Sequence, residues 1–172
     1  MARLVEIFTG NGRGKTSAAI GVVLRALGHG LRVHIVFFMK GSYPYGEQAI
    51  LDQLPNVSFS RYGADHLLSP EDLNDNQREQ GRLALESARA ATFSGQYDLV
   101  VLDEVNIASA WGLVEVDEVV KLIKDKPDGV ALILTGRYAD QRLIDMADLV
   151  TEMVEVKHPY TRGILSREGF DY

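Results

Sequence analysis

No cysteine occurs among the 172 residues. That excludes disulfides and thiolate-held zinc, and it fits a reducing, cytoplasmic setting. Dense clusters of Lys and Arg are also missing, and the formal net charge is -6, so a nucleic acid is not an expected partner. No apolar run approaches the length of a membrane span, so no membrane association is expected. The opening "MARLVEIFTGN" passes too quickly into a Gly-rich turn to serve as a signal peptide. Four histidines, His29, His34, His66 and His158, show no metal-ligand spacing. Internal repeats and low-complexity segments are absent.

The remaining sequence reads as one α/β domain over residues 1–172, with 46% hydrophobic and 24% charged residues, enough apolar surface for a single core. Leu4–Phe8 is a short strand running into a Gly-rich loop, and a helix is expected from Lys15 to about Leu27, stopped by Gly28 and Gly30. Leu31–Phe38 is a second strand and Val57–Phe59 a third, short one. "KGSYPYGEQAI" leads into a short helix. A longer helix is expected from about Asn76 to Phe93, burying Leu83, Ala84, Leu85, Ala88 and Ala91. "YDLVVLDE" and "GVALILTGR" are buried strands by their aliphatic runs, and Asp148–Val156 supplies a last strand before an irregular tail. Strands alternating with helices imply a mostly parallel sheet with helices on both faces and a ligand off the carboxyl ends of its strands. Three candidate segments fall at such ends: 9–16, 103–104 and 135–137.

The first is a phosphate loop. Gly10, Gly12 and Gly14 alternate with Asn11 and Arg13, so the chain can turn tightly and aim several N–H groups at one anion. The following helix adds its positive end. Lys15 can reach terminal phosphates, and the Thr16 hydroxyl suits Mg²⁺. Thr9 stands where G-x-x-x-x-G-K-[ST] requires glycine. Asp103 and Glu104 end an aliphatic strand, the place where such proteins hold a metal or polarise water; the plainer alternative is that Asp103 caps the segment beginning at Val105. Arg137 places a guanidinium at a third strand end, a natural phosphate partner or a surface turn residue. Arg25 lies two to three turns beyond Lys15, on the phosphate side or on a solvated face. Tyr43, Tyr45, Tyr62, Tyr160, Phe170 and Tyr172 read as packing or as contacts for a flat apolar ligand. Trp111 reads as a core or dimer residue, and His66 as a loop histidine.

"FTGNGRGKTSAAIGVVLRALGHG", "FMKGSYPYGE", "VVLDE", "ILTGR", "ADLVTEM" and "VKHPYTRGILSREGFDY" occur in that order. Together they resemble the P-loop type of ATP:cob(I)alamin (corrinoid) adenosyltransferase, from Phe8 to Tyr172, loosely so between about residues 53 and 95. The resemblance implies a P-loop NTPase-like (RecA-like) domain that transfers the 5′-deoxyadenosyl group of ATP to cobalt(I) and releases triphosphate. It further implies Mg²⁺ (or Mn²⁺), an electron donor such as a flavoprotein, and a homodimer. On this resemblance Thr9, Gly10, Asn11, Gly12, Arg13, Gly14, Lys15 and Thr16 wrap the phosphates, with Arg25 helping from the helix. Lys15 and Arg137 stabilise the departing triphosphate. Thr16 and Glu104 surround the metal with Asp103 in support, and Lys40, Gly41 and Glu47 lie near the nucleoside or the corrin edge.

Two departures accompany the resemblance. Many relatives carry an N-terminal helical extension that can cover the corrinoid, whereas here the first strand begins at about residue 3, leaving the site more open or closed by a partner subunit. Relatives also place bulky aromatics after a glycine matching Gly63, thought to displace the lower cobalt ligand; here Ala64 and His66 stand there. Ligand removal then falls to residues such as Tyr62, Leu67 or Leu68, or the natural corrinoid lacks that ligand. Two rival functions stay open at this point: an ordinary ATPase or small-molecule kinase with Glu104 as base, and a non-catalytic nucleotide- or corrinoid-binding module.

Overall fold

A computed structural model describes residues 4–42, 45–66 and 69–170. Tyr43, Leu67, Leu68 and Tyr172 lie outside the described residues. Six strands form one sheet, every described pairing parallel: β1 (Val5–Thr9), β2 (Val33–Phe37), β3 (Val57–Arg61), β4 (Leu99–Asp103), β5 (Ala131–Thr135) and β6 (Leu149–Glu152). Their order across the sheet is β3-β2-β4-β5-β1-β6. Parallel neighbours need crossovers, and helices supply them: α1 (Lys15–Gly28), α2 (Gly46–Leu51), α3 (Asp75–Phe93), α4 (Val105–Ala110), α5 (Val116–Asp125) and α6 (Gln141–Met146).

Alternation along the strands divides the core in two. On one face Val5, Ile7, Val36, Val100, Leu102, Leu132 and Leu134 meet the small residues Ala84, Ala88 and Ala91 of α3 and Val119 and Leu122 of α5. On the other, Phe8, Ile35, Phe37, Val101 and Ile133 meet Ala19 and Val23 of α1. Complete burial of such an aliphatic or aromatic side chain stabilises by about 1.5–3 kcal/mol before entropy is counted, so the central strands are the most firmly held part of the molecule.

The expected strands and the two longer helices are present, each within a few residues of the positions read from the pattern. In α3 the buried face is Gln77, Gly81, Ala84, Ala88, Ala91 and Thr92, with Leu83 and Leu85 only half-buried. Small residues win there because the helix lies close: a Cβ at position 81 would strike the Leu113 carbonyl. Asn74 caps this helix by accepting a hydrogen bond from the Gln77 N–H at 3.1 Å. Helices α4, α5 and α6 are not singled out by the sequence reading. The last strand is shorter than expected, ending at Glu152, and its side chains are largely exposed because β6 is an edge.

Candidate functional site

The carboxyl ends of β1, β2, β4 and β5 open at one edge of the sheet. Register brings them together: Phe37 pairs with Asp103, and Phe8 with Thr135. The phosphate loop leaves β1 here. Thr9 is its last strand residue, in register with Glu152 of β6. Its carbonyl accepts the Met153 N–H at 2.8 Å, and its hydroxyl oxygen accepts the Ala139 N–H at 3.3 Å. That explains the threonine: position 9 belongs to the ladder, and the turn begins only at Gly10, with φ 93°. The loop then lies against the start of the tail. Gly12 donates its N–H to the Met153 carbonyl at 2.6 Å, and a Cβ at position 12 would come within 2.7 Å of that oxygen, so no larger residue fits.

Gly14 ends the loop as the N-cap of α1, with φ 114°. No side chain caps this helix and no acidic residue occupies its first turn. A helix start left in that state offers donors and positive potential to an anion. Lys15 is 7% exposed, and its ammonium donates to the carbonyls of Gly10 at 2.9 Å and Gly12 at 2.7 Å. Burial lowers its pKa, Arg137 adds to that effect, and the Glu104 and Asp103 carboxylates oppose it. Asn11 and Arg13 are exposed.

Asp103 is the centre of the site. Only 1% exposed, it accepts three hydrogen bonds. Its Oδ1 takes the Thr16 hydroxyl at 2.9 Å and the Thr135 hydroxyl at 2.7 Å, and its Oδ2 takes the Lys40 ammonium at 2.7 Å. The Thr135 oxygen in turn accepts the Glu104 N–H at 2.9 Å. Asp103 therefore does not cap α4. The residue at that position is Glu104, in a left-handed conformation with φ 65° and no side-chain capping bond. The left-handed turn at Glu104 directs the chain from the strand into α4. Burial and the neighbouring Asp103 raise the Glu104 pKa, while Lys40, Lys15 and Arg137 act in the opposite sense. A metal at that carboxylate would hold Glu104 ionised.

Lys40 reaches this centre from the segment after β2. Burial would lower its pKa, but Asp103 and Glu104 outweigh burial and push it well above the ordinary lysine value. Its ammonium also lies 3.5 Å from the Thr16 oxygen and 4.6 Å from the centroid of the Tyr45 ring. The resemblance put Lys40 near the nucleoside or corrin edge; the structure puts its charge on Asp103. Its backbone N–H donates to the Tyr62 carbonyl at 2.9 Å, and the Gly41 N–H donates to the Ala64 carbonyl at 2.9 Å. The 62–64 segment is thus fastened to the loop that carries Lys40, with Ala64 half-buried and His66 exposed.

The other expected residues are less closely gathered. Arg137 follows Gly136 off β5 and is exposed, near enough for its field to act on Lys15 and Glu104. Glu47 is half-buried in the first turn of α2. Arg25 is not brought to the loop. It is exposed in the last turn of α1, about 15 Å along the helix axis from Lys15, where its charge acts on Glu6. Sequence reasoning passed over Thr135 as a partner of Asp103; a hydroxyl directly before "GR" at a buried strand end was the available signal. Trp111 is half-buried at the end of α4.

The donor set suits a metal brought by a nucleotide. Among the described residues no group of three or more His, Cys, Asp or Glu is placed to hold a metal alone. Mg²⁺ commonly takes one or two protein oxygens and completes its shell with phosphate and water. The Thr16 oxygen and the Glu104 carboxylate fit that demand. Asp103 already fixes Thr16.

Comparison with known proteins bears on what this site serves. Residues 2–172 match the family model described as ATP:corrinoid adenosyltransferase BtuR/CobO/CobP. A corrinoid adenosyltransferase of Pseudomonas aeruginosa is 38% identical over 169 residues, which cover 96% of this chain and 82% of that protein. The corrinoid adenosyltransferase of Escherichia coli K12 is 32% identical over 98% of this chain and 85% of its own length. Corrinoid adenosyltransferase CobA of Salmonella typhimurium is 33% identical with the same coverage.

Proposed function

The chain belongs to the ATP:corrinoid adenosyltransferase family, and from that premise we propose that the carboxyl edge of its sheet holds ATP by the triphosphate while the nucleotide's 5′ carbon faces the corrinoid. The activity is ATP-dependent adenosylation of a corrinoid. In the reaction the electron pair of cobalt(I) forms the bond to C5′. The C5′–O5′ bond breaks, and its electrons leave with inorganic triphosphate. Because the corrinoid is itself the nucleophile, the protein needs no activated Ser, Cys or His. Its task is to position the nucleotide and to stabilise the charge of the leaving group.

The observation that carries this reading is the pairing of an uncapped α1 N-terminus with a buried Lys15 whose ammonium rests, among the described residues, on two loop carbonyls. A triphosphate is a far better partner for that ammonium than neutral carbonyl oxygens. Lys15 can exchange them without leaving the loop, and Arg137, exposed at the rim, adds a second cation. Thr16 and Glu104 are the residues proposed to hold Mg²⁺ (or Mn²⁺), with Asp103 fixing Thr16. The metal supplies charge neutralisation to the triphosphate.

The natural corrinoid, an electron donor of the flavoprotein class and a homodimer complete the proposal. Cobalt in the +1 state requires a strong reductant, which supports the donor. Exposed Leu149 and Val150 on the edge strand, and Leu165 and Phe170 in the tail, support self-association. No described helix is long and apolar enough to cross a membrane; a cytoplasmic location remains a proposal, supported by the absence of cysteine.

The deciding experiment follows ATP in the presence of cob(I)alamin. Triphosphate released only with reduced corrinoid, together with the colour change of a new cobalt–carbon bond, is the expected result. Corrinoid-independent formation of ADP and phosphate would overturn it in favour of an ATPase or kinase. Binding of both substrates without the new bond under strong reduction would leave a binding module.

A further inference from the structure

Free divalent cation and nucleotide-bound cation meet different electrostatics at this site, and the difference lies in Lys40. Its ammonium is salt-bridged to Asp103 at 2.7 Å with the Lys40 side chain 9% exposed, and it stands 3.5 Å from the Thr16 oxygen. Its position is held from several sides. The rings of Tyr45 and Phe37 lie 4.6 and 5.6 Å from the ammonium. The Lys40 N–H is bonded to the Tyr62 carbonyl. The preceding Met39 makes a left-handed turn with φ 60°, and Gly63 packs so close that a Cβ there would lie 2.7 Å from the Met39 carbonyl carbon. The Lys15 ammonium donates to the carbonyls of Gly10 and Gly12, and among the described residues it shows no comparable restraint.

A cation held by the Thr16 oxygen would lie close to that ammonium. Asp103 has little to offer it, because Oδ1 accepts two hydroxyls and Oδ2 is salt-bridged to Lys40. The charges acting around Glu104 are three cations, Lys15, Lys40 and Arg137, against Asp103 and Glu104 itself. That surplus repels a bare metal ion. A triphosphate reverses the sign of the local field, so a metal arriving with one is welcome.

We infer that Lys40 is a positioning residue that keeps the metal position closed to free divalent cations and admits the metal only together with the nucleotide. The inference rests on the reading that Thr16 and Glu104 hold the metal of bound ATP, and it removes Asp103 from direct ligation. Asp103 instead accepts the hydrogen bond of the Thr16 hydroxyl, so a metal would meet a lone pair of that oxygen beside Lys40.

Mn²⁺ titrated into the full-length protein, with free Mn²⁺ read by electron paramagnetic resonance, tests this without reference to turnover. The wild type is expected to bind no Mn²⁺ below millimolar concentrations without ATP, and to bind one per chain with ATP. Lys40→Met, confirmed folded by its thermal melt, is expected to gain nucleotide-free Mn²⁺ binding at least tenfold tighter than the wild type. Adding Asp103→Asn should remove that gain. Lys40→Arg, which keeps the charge, should still exclude the free ion, and Lys40→Ala is titrated beside Lys40→Met so that the result does not hang on one variant's folding. Nucleotide-free binding by the wild type, or a folded neutral variant that still excludes Mn²⁺, would overturn the inference. Failure of the wild type to bind Mn²⁺ even with ATP would instead remove the metal reading on which it rests.

Discussion

Two loops flank Asp103, and each carries a buried lysine held in a different way. The phosphate loop, 10–16, packs against Met153, and Lys15 bonds the carbonyls of Gly10 and Gly12. The loop after β2 packs against 62–64, and Lys40 is paired with a full negative charge. Burial and Arg137 lower the pKa of Lys15, whereas Asp103 and Glu104 raise that of Lys40 against burial. A lysine on neutral carbonyls is ready to change partners; one locked to a buried carboxylate stays, because parting them would strand both charges. On the proposed reading the first meets the substrate and the second shapes the site that meets it.

The strongest way to break this comparison is Lys15→Ala. Loss of the mobile cation should cost about 2–4 kcal/mol of transition-state stabilisation, read as a fall in kcat for triphosphate release. An unchanged kcat would mean that the loop does not hold the leaving group. Next comes Gly12→Ala, which drives a methyl into the Met153 carbonyl. It should cost about 1–3 kcal/mol in chemical unfolding and weaken ATP binding, whereas an equivalent change at exposed Gly21, which meets nothing within 4 Å, should leave ATP binding intact. Thr135→Val removes one hydroxyl from Asp103 and the acceptor of the Glu104 N–H. A loss of about 1–3 kcal/mol of stability is expected from the unsatisfied buried groups.

The two lysines also differ in their expected response to pH. Lys15, with its lowered pKa, loses its proton below the ordinary lysine value. Folding then binds fewer protons at Lys15 than the unfolded chain does. The Lys15 contribution to stability accordingly rises with pH through that window, while affinity for ATP falls as the ammonium is lost. Lys40 has a raised pKa, so its contribution is complete below the unfolded value and is lost as pH rises from there through the folded one. Calorimetric ATP binding should show the alkaline fall in the wild type and not in Lys15→Met. The smallest effect is expected on the corrinoid side. Ala64→Phe with His66→Trp should raise turnover only for corrinoids that carry a lower ligand, and equal gains with corrinoids lacking it would show that the pair acts elsewhere.

What could be read from the residues in line follows the range of each interaction. The phosphate loop was legible because its glycines, Lys15 and Thr16 are consecutive and its chemistry is local. The aliphatic runs of β4 and β5 were legible because a strand buried on both faces needs no alternation. The Asp103 cluster was only half legible: its partners Thr16, Lys40 and Thr135 stand 87, 63 and 32 positions away. Local spacing also allowed Asp103 a capping role, and it left Arg25 open between the phosphates and a solvated face; the structure sets Arg25 in the last turn of α1, about 15 Å along the axis from Lys15.

The sequence by itself determined the alternating α/β order, the anion-binding loop and the family, since each rests on contiguous residues or on motifs met in a fixed order. Tertiary structure alone decided which charges meet. Sheet order set β2 and β5 on either side of β4, and that placement put a lysine on one carboxylate oxygen and the Thr135 hydroxyl on the other, where Thr16 at the start of α1 joins it. Hydrogen bonds act over about 3 Å, a distance that separation along the chain does not encode.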